Sequence, residues 1–419
     1  MSVREGYKNT ELGEIPDNWE IVTLESVLER FQNGCAFSSE GYVESGIPIV
    51  SMANISLKGI FQYDYTKAKY WNESELDRLT QYQLKKGSLL IAMTDVTPDK
   101  NLIGRMAVID IDDLFLLNQR VGLLQTKPNI NRKFLSEYGN FSIWRKYCKN
   151  VAASGAQANI STKDIKNGLI PVPPLKEQQK IADILSTVDQ KINLINTKIK
   201  EAEILKKGLM QKLLSEGIGH IKFKESEIGQ VPIEWEVLAL SEFAKINMGQ
   251  SPVSKFVNEE GEGIPFAQGN SEFTQKYFTH TSKYCIQPKK VAQQGDILFS
   301  VRAPVGDINI AAFDICIGRG LASLRAKNNE QEYLYQLLMK LAQRLNQSAQ
   351  GSTFTAINKS DLEKLKIAVP PLEEQKRIAD ILFTADKKIE TLRTKKELFG
   401  ALKKGLVQKL ITGEVRVNS

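Results

Sequence analysis

Histidine is almost missing from this chain. Only His220 and His280 occur among 419 residues, too few for a histidine-built metal site and a poor basis for a histidine general base. His220 lies in the stretch joining two similar halves and is expected to be a solvated linker residue. The four cysteines, Cys35, Cys148, Cys285 and Cys316, form no CxxC pair and no zinc-ligand spacing, so buried free thiols are expected. No apolar run reaches the roughly 20 residues that span a bilayer. The polar start from Met1 to Lys8 does not resemble a signal peptide, and a cytoplasmic protein is expected. Walker A, GxGxxG and GxSxG motifs are absent, as are the Asn-Pro-Pro-aromatic and Asp-Pro-Pro-Tyr tetrapeptides of amino-methyltransferases. Thr97-Pro98-Asp99-Lys100 is a lone Pro-Asp match without the other acids of a nuclease metal cluster. Nothing in the chain therefore argues for catalysis.

What the chain does have is a copy of itself. Pro173-Pro174-Leu175-Lys176-Glu177-Gln178 and the following residues to Leu185 return as Pro370-Pro371-Leu372-Glu373-Glu374-Gln375 through Leu382. The segment from Leu205 to Leu213 returns as Leu402 to Leu410, at the same offset of 197 residues. A fainter echo opens each half, Gly13-Glu14-Ile15-Pro16-Asp17-Asn18-Trp19 against Gly229-Gln230-Val231-Pro232-Ile233-Glu234-Trp235. A repeat of this length means two copies of a whole unit, not a solenoid. The copies agree at their ends and diverge in their middles. One frame thus carries two different payloads.

The repeated ends are helical. From Ile181 the apolar residues recur in sevens, along Ile181, Val188, Ile195, Ala202, Leu209 and along Leu185, Ile192, Ile199, Lys206, Leu213. The second copy runs Ile378, Ala385, Leu392, Phe399, Leu406 and Leu382, Ile389, Lys396, Lys403, Leu410. Such rows are the a and d positions of a coiled coil. At Lys206 and Lys403 either the seam opens or the lysines snorkel past it. Pro-Pro precedes each helix, Glu177 or Glu374 falls in its first turn, and Gly217, Gly219 or Gly413 ends it. Gly208 and Gly405 cost each helix about 1 kcal/mol relative to alanine, and a close helix–helix approach there is expected to explain them. Two matching apolar stripes predict that the helices pair antiparallel, giving one chain an internal pseudo-twofold repeat. The many lysines on these segments, Lys198 and Lys387 among them, read first as a solvated helix face and second as part of a basic surface. The formal charge of +7 does not decide between these readings.

The middles show short apolar runs broken by glycine and proline, such as Gly46 to Val50, Gly87 to Ala92, Gly263 to Ala267 and Gly295 to Ser300. Helical patterns follow near 131–150 and 330–346. Each middle is therefore expected to be a mixed domain, and the fold class α+β. Domain boundaries are placed at 1–170, 171–218, 219–367 and 368–419. Arg120 and Arg319 are matched as anchors of the two middles. A polar glycine-containing loop precedes each final helix, Ala153 to Ile160 and Gln350 to Ile357. Such loops can offer N–H groups to phosphate or be plain turns.

This order of variable domain, Pro-Pro-Leu-x-Glu-Gln helix, variable domain and helix resembles the specificity subunit of a type I restriction–modification enzyme. The resemblance covers nearly the whole chain, and the Gly-x-x-Pro-x-x-Trp openings share in it. It implies two target recognition domains that each read half of an asymmetric, bipartite DNA target. It implies helices that form an antiparallel coiled coil, set the spacing of the halves and bind two modification subunits. It also implies a non-catalytic chain with no cofactor of its own. S-adenosylmethionine, ATP and Mg are expected on the modification and motor-nuclease (restriction) partners, with double-stranded DNA as ligand and no membrane. The alternative is a non-catalytic interaction scaffold built on the helical rod.

DNA contacts are expected from polar loop residues after the strand-like runs. In the first domain these are Thr94, Thr97, Lys100, Asn101 and Gln157. In the second they are Gln268, Asn270, Arg302, Ser352 and Thr353. Helix pairing is assigned to Ile181, Leu185, Val188, Ile192, Ile195, Ile199, Leu209 and Leu213, and to Ile378, Leu382, Ile389, Leu392, Leu406 and Leu410.

Overall fold

The computed structural model describes residues 3–97, 99–152, 158–348 and 356–417, with backbone alone for 343–348. It divides into two compact units, Met1–Leu194 with Lys395–Ser419, and Ile195–Thr394. Each holds one head and about half of each long helix. The long helices run Leu175–Glu216 and Leu372–Ile411, 42 and 40 residues. Gly217 and Gly413 follow them with φ of +69° and +70°, the left-handed conformation that ends a helix. Among the described residues no helix is long and apolar enough to cross a membrane.

In the first unit Ile181 and Leu185 share a core with Leu410 and Ile411. Further along, Asp189 meets Lys403 at 2.7 Å. One sequence rises as the other falls, so the helices are antiparallel here. The second unit repeats the arrangement. Met210 and Leu213 pack with Ile378 and Leu382, Lys206 meets Asp386 at 2.5 Å, and Arg393 meets Glu203 at 2.7 Å. Of the pairing residues named from the sequence, all are buried except Ile192, Leu209 and Leu406, which are half-buried. The two seam lysines neither open the seam nor snorkel. Each bonds the aspartate that the repeat places on the other helix. Lys403 also reaches Glu137 of the first head at 3.3 Å. Burial opposes the Lys403 charge, but the two carboxylates outweigh it and raise its pKa; burial likewise raises that of Glu137.

The expected close approach at Gly208 and Gly405 does not occur. Both glycines are exposed, and a Cβ at either would meet nothing within 4 Å. Their shared feature is an open outer face.

In the first head, one four-stranded sheet has the order Met106–Val108, Leu89–Ala92, Val121–Thr126, Leu28–Asn33. A second has Tyr70–Trp71, Ile47–Val50, Phe115–Leu117, Gln83–Leu84. Helices Arg132–Asn140 and Ser142–Val151 follow. The second head has two five-stranded sheets. The order of one is Ala244–Met248, Leu321–Ala326, Ile297–Ser300, Ile308–Ala311, Tyr277–Phe278. The other runs Val257–Asn258, Tyr284–Cys285, Ile264–Ala267, Ile315–Ile317, Val291–Ala292. Helix Gln331–Ser348 follows. Strands come first and helices after, as the patterns predicted.

The Pro-Pro-Leu-x-Glu-Gln segment joins head to helix by the same bonds twice. Glu177 is 2% exposed and accepts the indole N–H of Trp19 at 3.0 Å; Glu374 is 4% exposed and accepts that of Trp235 at 3.0 Å. Gln178 accepts the N–H of Asn131, and Gln375 that of Glu330. The partners of the two glutamates differ. Arg416 grips Glu177 with two bonds of 2.7 and 2.9 Å, whereas His220 Nε2 lies 2.9 and 3.0 Å from the two Glu374 oxygens. His220 is thus part of a buried clamp. The linker assignment is corrected, because a charged residue 154 positions away brings its ring inside. Cys148, Cys285 and Cys316 are buried free thiols, and Cys35 is half-buried.

Candidate nucleic-acid interface

Each head gathers strand ends at one end. In the second head Ile264–Ala267 and Ile315–Ile317 run parallel, so both stop on the same side. Hydrogen bonds stitch together the loops that leave these strands. Gly318 N–H donates to Ala267, Gly320 N–H to Gln268, Val301 N–H to Gly320, and Gln250 N–H to Ile317. Gln268, Asn270, Arg302 and Arg319 are thereby brought to one end. Gln268 and Arg302 are exposed, and Asn270 is half-buried with its amide on Asp307. The Ser251 hydroxyl donates to Gln268 Oε1 at 3.0 Å and accepts from the Arg319 N–H at 3.3 Å. Gly318 must be glycine, since a Cβ would come within 3 Å of Gln268. Arg302 bridges to Ala356, where the chain returns.

The first head repeats these bonds. Asn118 N–H donates to Val50, Met93 N–H to Arg120, and Cys35 N–H to Leu117, while Gln119 N–H adds a bond to the Cys35 carbonyl. This register corrects one sequence match. Arg319 is the counterpart of Gln119, not of Arg120, whose position is taken by Gly320. At this end lies an open groove of about 870 Å³ lined by Tyr42, Ser51, Gln62, Lys69, Gln119 and Arg120, among others. The Lys69 ammonium sits 4.6 Å from the centre of the Tyr42 ring. None of these groove residues was singled out from the sequence as a DNA contact. Their common signal is position just after a strand end, which shows only once the parallel pairing of Ile47–Val50 with Phe115–Leu117 is known.

The other expected residues of the first head turn inward. Thr94 is buried, and its hydroxyl donates to Asn159. The Thr97 hydroxyl accepts the Asn101 N–H, Lys100 donates to the Ala152 carbonyl at 2.9 Å, and Asn101 accepts from Lys149 at 2.8 Å. They brace a loop of twelve residues between Ala92 and Arg105; the second head closes the same gap with six, between Ser300 and Asp307. Arg145 supports the loop from beneath, donating to the Lys100 and Asn101 carbonyls. Burial, with Arg105 nearby, pushes its pKa down to about 10. Gln157, Ser352 and Thr353 lie outside the described residues.

Asp95 holds this loop. Its carboxylate accepts the N–H groups of Thr97, Leu102 and Ile103. Burial would raise its pKa, but these bonds prevail and hold it below the usual carboxylate range. A depressed folded-state pKa gives stability that is present above the unfolded value, about 3.9, and lost as pH falls through the folded value. Protection of the Leu102 and Ile103 amides, measured against their intrinsic exchange rates, is therefore expected to be high at neutral pH and to fall in acid, and in Asp95→Ala to be low already at neutral pH. Unchanged protection in that variant would show that the loop does not depend on the carboxylate.

Two unlike heads with polar ends, held on a repeated helical frame, define a two-headed binding protein. Comparison with known proteins gives its kind. The family model for the type I restriction modification DNA specificity domain matches residues 16–204 and 232–398. A chain of Methanocaldococcus jannaschii that carries the name putative MjaX specificity subunit of a type I restriction enzyme is 38% identical. The alignment covers 99% of this chain and 98% of that one. A solved chain from a study of complex assembly and conformational transition in a type I system aligns with a TM-score of 0.60 at 24% identity, over 96% of this chain and 99% of that one. The S subunit of a type I restriction-modification system from M. genitalium gives a TM-score of 0.59 at 16% identity, covering 94% of this chain and 96% of that one. The chain belongs to the type I restriction–modification DNA specificity family.

Proposed function

We propose that each head reads one half of an interrupted, asymmetric DNA sequence and that the long helices set the distance between the halves. The observation that carries this reading is the recurrence of one hydrogen-bonded strand-end frame in both heads with different residues on it. The second head presents Gln268, Asn270, Arg302 and Arg319, and the first presents Gln119, Arg120 and Lys69 in a groove beside the Thr97, Lys100 and Asn101 loop. Arginine suits guanine, and glutamine or asparagine suits adenine, through paired hydrogen bonds worth about 1–3 kcal/mol each. Specific over non-specific binding requires about 4–10 kcal/mol, which favours two heads over one.

The same reading makes the chain a scaffold. Leu205 and Leu402 are repeat counterparts, 61% and 49% exposed, each three residues before an open glycine, Gly208 or Gly405. A leucine beside a bare backbone suits close packing by a partner helix. One such site in each repeat supports two modification subunits per chain. S-adenosylmethionine belongs with them, ATP and Mg with the restriction subunits, and the assembly works in the cytoplasm.

Arg302→Ala is expected to relax one position of one half-site at a discrimination cost of about 1–3 kcal/mol and to leave the other half-site intact. Competition binding against single-base variants of both half-sites checks this. Equal loss at both would assign Arg302 to the fold or to phosphate contact.

A further inference from the structure

The repeat builds one corner twice, with the charge reversed at two places. Where the first turn of each long helix meets its head helix, Gln178 and Gln375 hold Asn131 and Glu330 at equivalent places. Beside each lies a cleft, about 680 Å³ in the first unit and about 420 Å³ in the second. The clefts overlap without coinciding: Glu330, Glu332 and Lys376 of the second match Asn131, Lys133 and Gln179 of the first, whereas Asp380 and Phe383 match Asp183 and Ser186, which do not line the first. The first has an apolar floor that includes Val108, Ile130 and the exposed Leu175; the apolar part of the second is Ala379 and the exposed Phe383. Lys133 in the first takes the place of Glu332 in the second, and Lys176 that of Glu373. The first cleft is lined by Arg132, Lys133 and Lys176 with no acid. The second is lined by Glu330, Glu332 and Asp380 against Lys376. Among the described residues, neither Lys133 nor Lys176 has an acidic partner. In the second unit, Lys376 is paired with Glu373 at 2.7 Å and Glu332 with Lys276 at 3.1 Å.

We propose that the basic cleft of the first unit receives an acidic segment of a modification subunit, an apolar side chain flanked by carboxylates, and that its acidic counterpart rejects the same segment. The proposal rests on the reading that modification subunits bind this chain. An apolar floor favours a protein segment over a DNA backbone, which needs charge and polar donors without a greasy pocket. The acidic counterpart points the same way, since it would repel phosphate. Two copies of one modification subunit therefore meet unlike corners, and assembly proceeds in two unequal steps. The basic cleft supplies the tighter one.

The test titrates the full chain with purified modification subunit by calorimetry, at about 0.1 M and about 0.5 M salt. For the wild type we expect two steps differing by about tenfold or more in affinity. Lys133→Glu with Lys176→Glu is expected to weaken the tight step about tenfold at low salt and much less at high salt. Glu332→Lys with Glu373→Lys, which gives the second corner the lysines of the first, should bring the weak step towards the tight one. DNA binding by the free chain should be unchanged in the lysine variant. Two copies binding with both steps unaffected by either exchange would overturn the charge assignment while leaving subunit docking in place. Weakened DNA binding with unaltered subunit binding would overturn it in favour of a phosphate contact. A wild-type chain that binds no modification subunit would remove the docking reading, and this inference with it.

Discussion

Trp19→Ala and Trp235→Ala are each expected to destabilise their unit by about 4 kcal/mol, within the 3–5 kcal/mol typical of a fully buried large aromatic. Both indoles are fully buried and both donate to a buried carboxylate, so truncation opens a cavity and removes a charge-assisted bond together. The Phe variants separate the two terms, because a benzyl group fills much of the space but leaves the glutamate short of a donor. We expect them to lose about 1–3 kcal/mol. Arg416→Ala in the first unit leaves Glu177 without its cation. A buried pair broken on one side costs about 3–5 kcal/mol, and the partial exposure of Arg416 places this case near the lower end. Adding Glu177→Gln should recover much of the loss, since a neutral amide needs no cation. Urea denaturation followed by tryptophan fluorescence measures each step. A Trp235→Ala chain within about 1 kcal/mol of wild type would show that the repeated motif does not hold head to helix.

Removing residues 192–198 and 389–395 together is expected to shorten the unread gap of the DNA target by about three base pairs. Each deletion is one heptad and the two are repeat counterparts, so the apolar seam keeps its phase. Seven residues are about 10 Å of helix, and base pairs rise about 3.4 Å. Both half-sites should survive, because the deletion spares every strand-end loop. Selection of bound sequences from a random pool reads gap and half-sites together. A variant that keeps the wild-type gap would exclude the helices as the spacer.

The helices were legible because their information is local. A seven-residue apolar rhythm, a preceding Pro-Pro and a closing glycine each act within one or two turns. The role of Glu177 and Glu374 was not. Their first-turn position suggested a dipole effect, yet each is buried by an indole more than 130 residues away in sequence. His220 escaped for the same reason. Gly208 and Gly405 were read as contact glycines from their recurrence alone, but recurrence does not say which side of a helix is covered. In the heads, the runs near Gly46, Gly87, Gly263 and Gly295 announced strands. Which strand ends share a side depends on parallel pairing, which no local pattern encodes. Gln268, Asn270 and Arg302 could be placed at the strand ends from the sequence because they directly follow such runs. Gln119 and Lys69 were missed because the turn that brings them together is built from three separate segments, and Thr94 continues into a bridge with Asn159 that turns it inward.

The most direct test is to express the chain with its modification subunits and map the methylated adenines in the host DNA. Two different half-sites at a fixed separation, one modified adenine in each, are predicted. A continuous or palindromic site would contradict the account, since two unlike heads on a repeated frame cannot produce one.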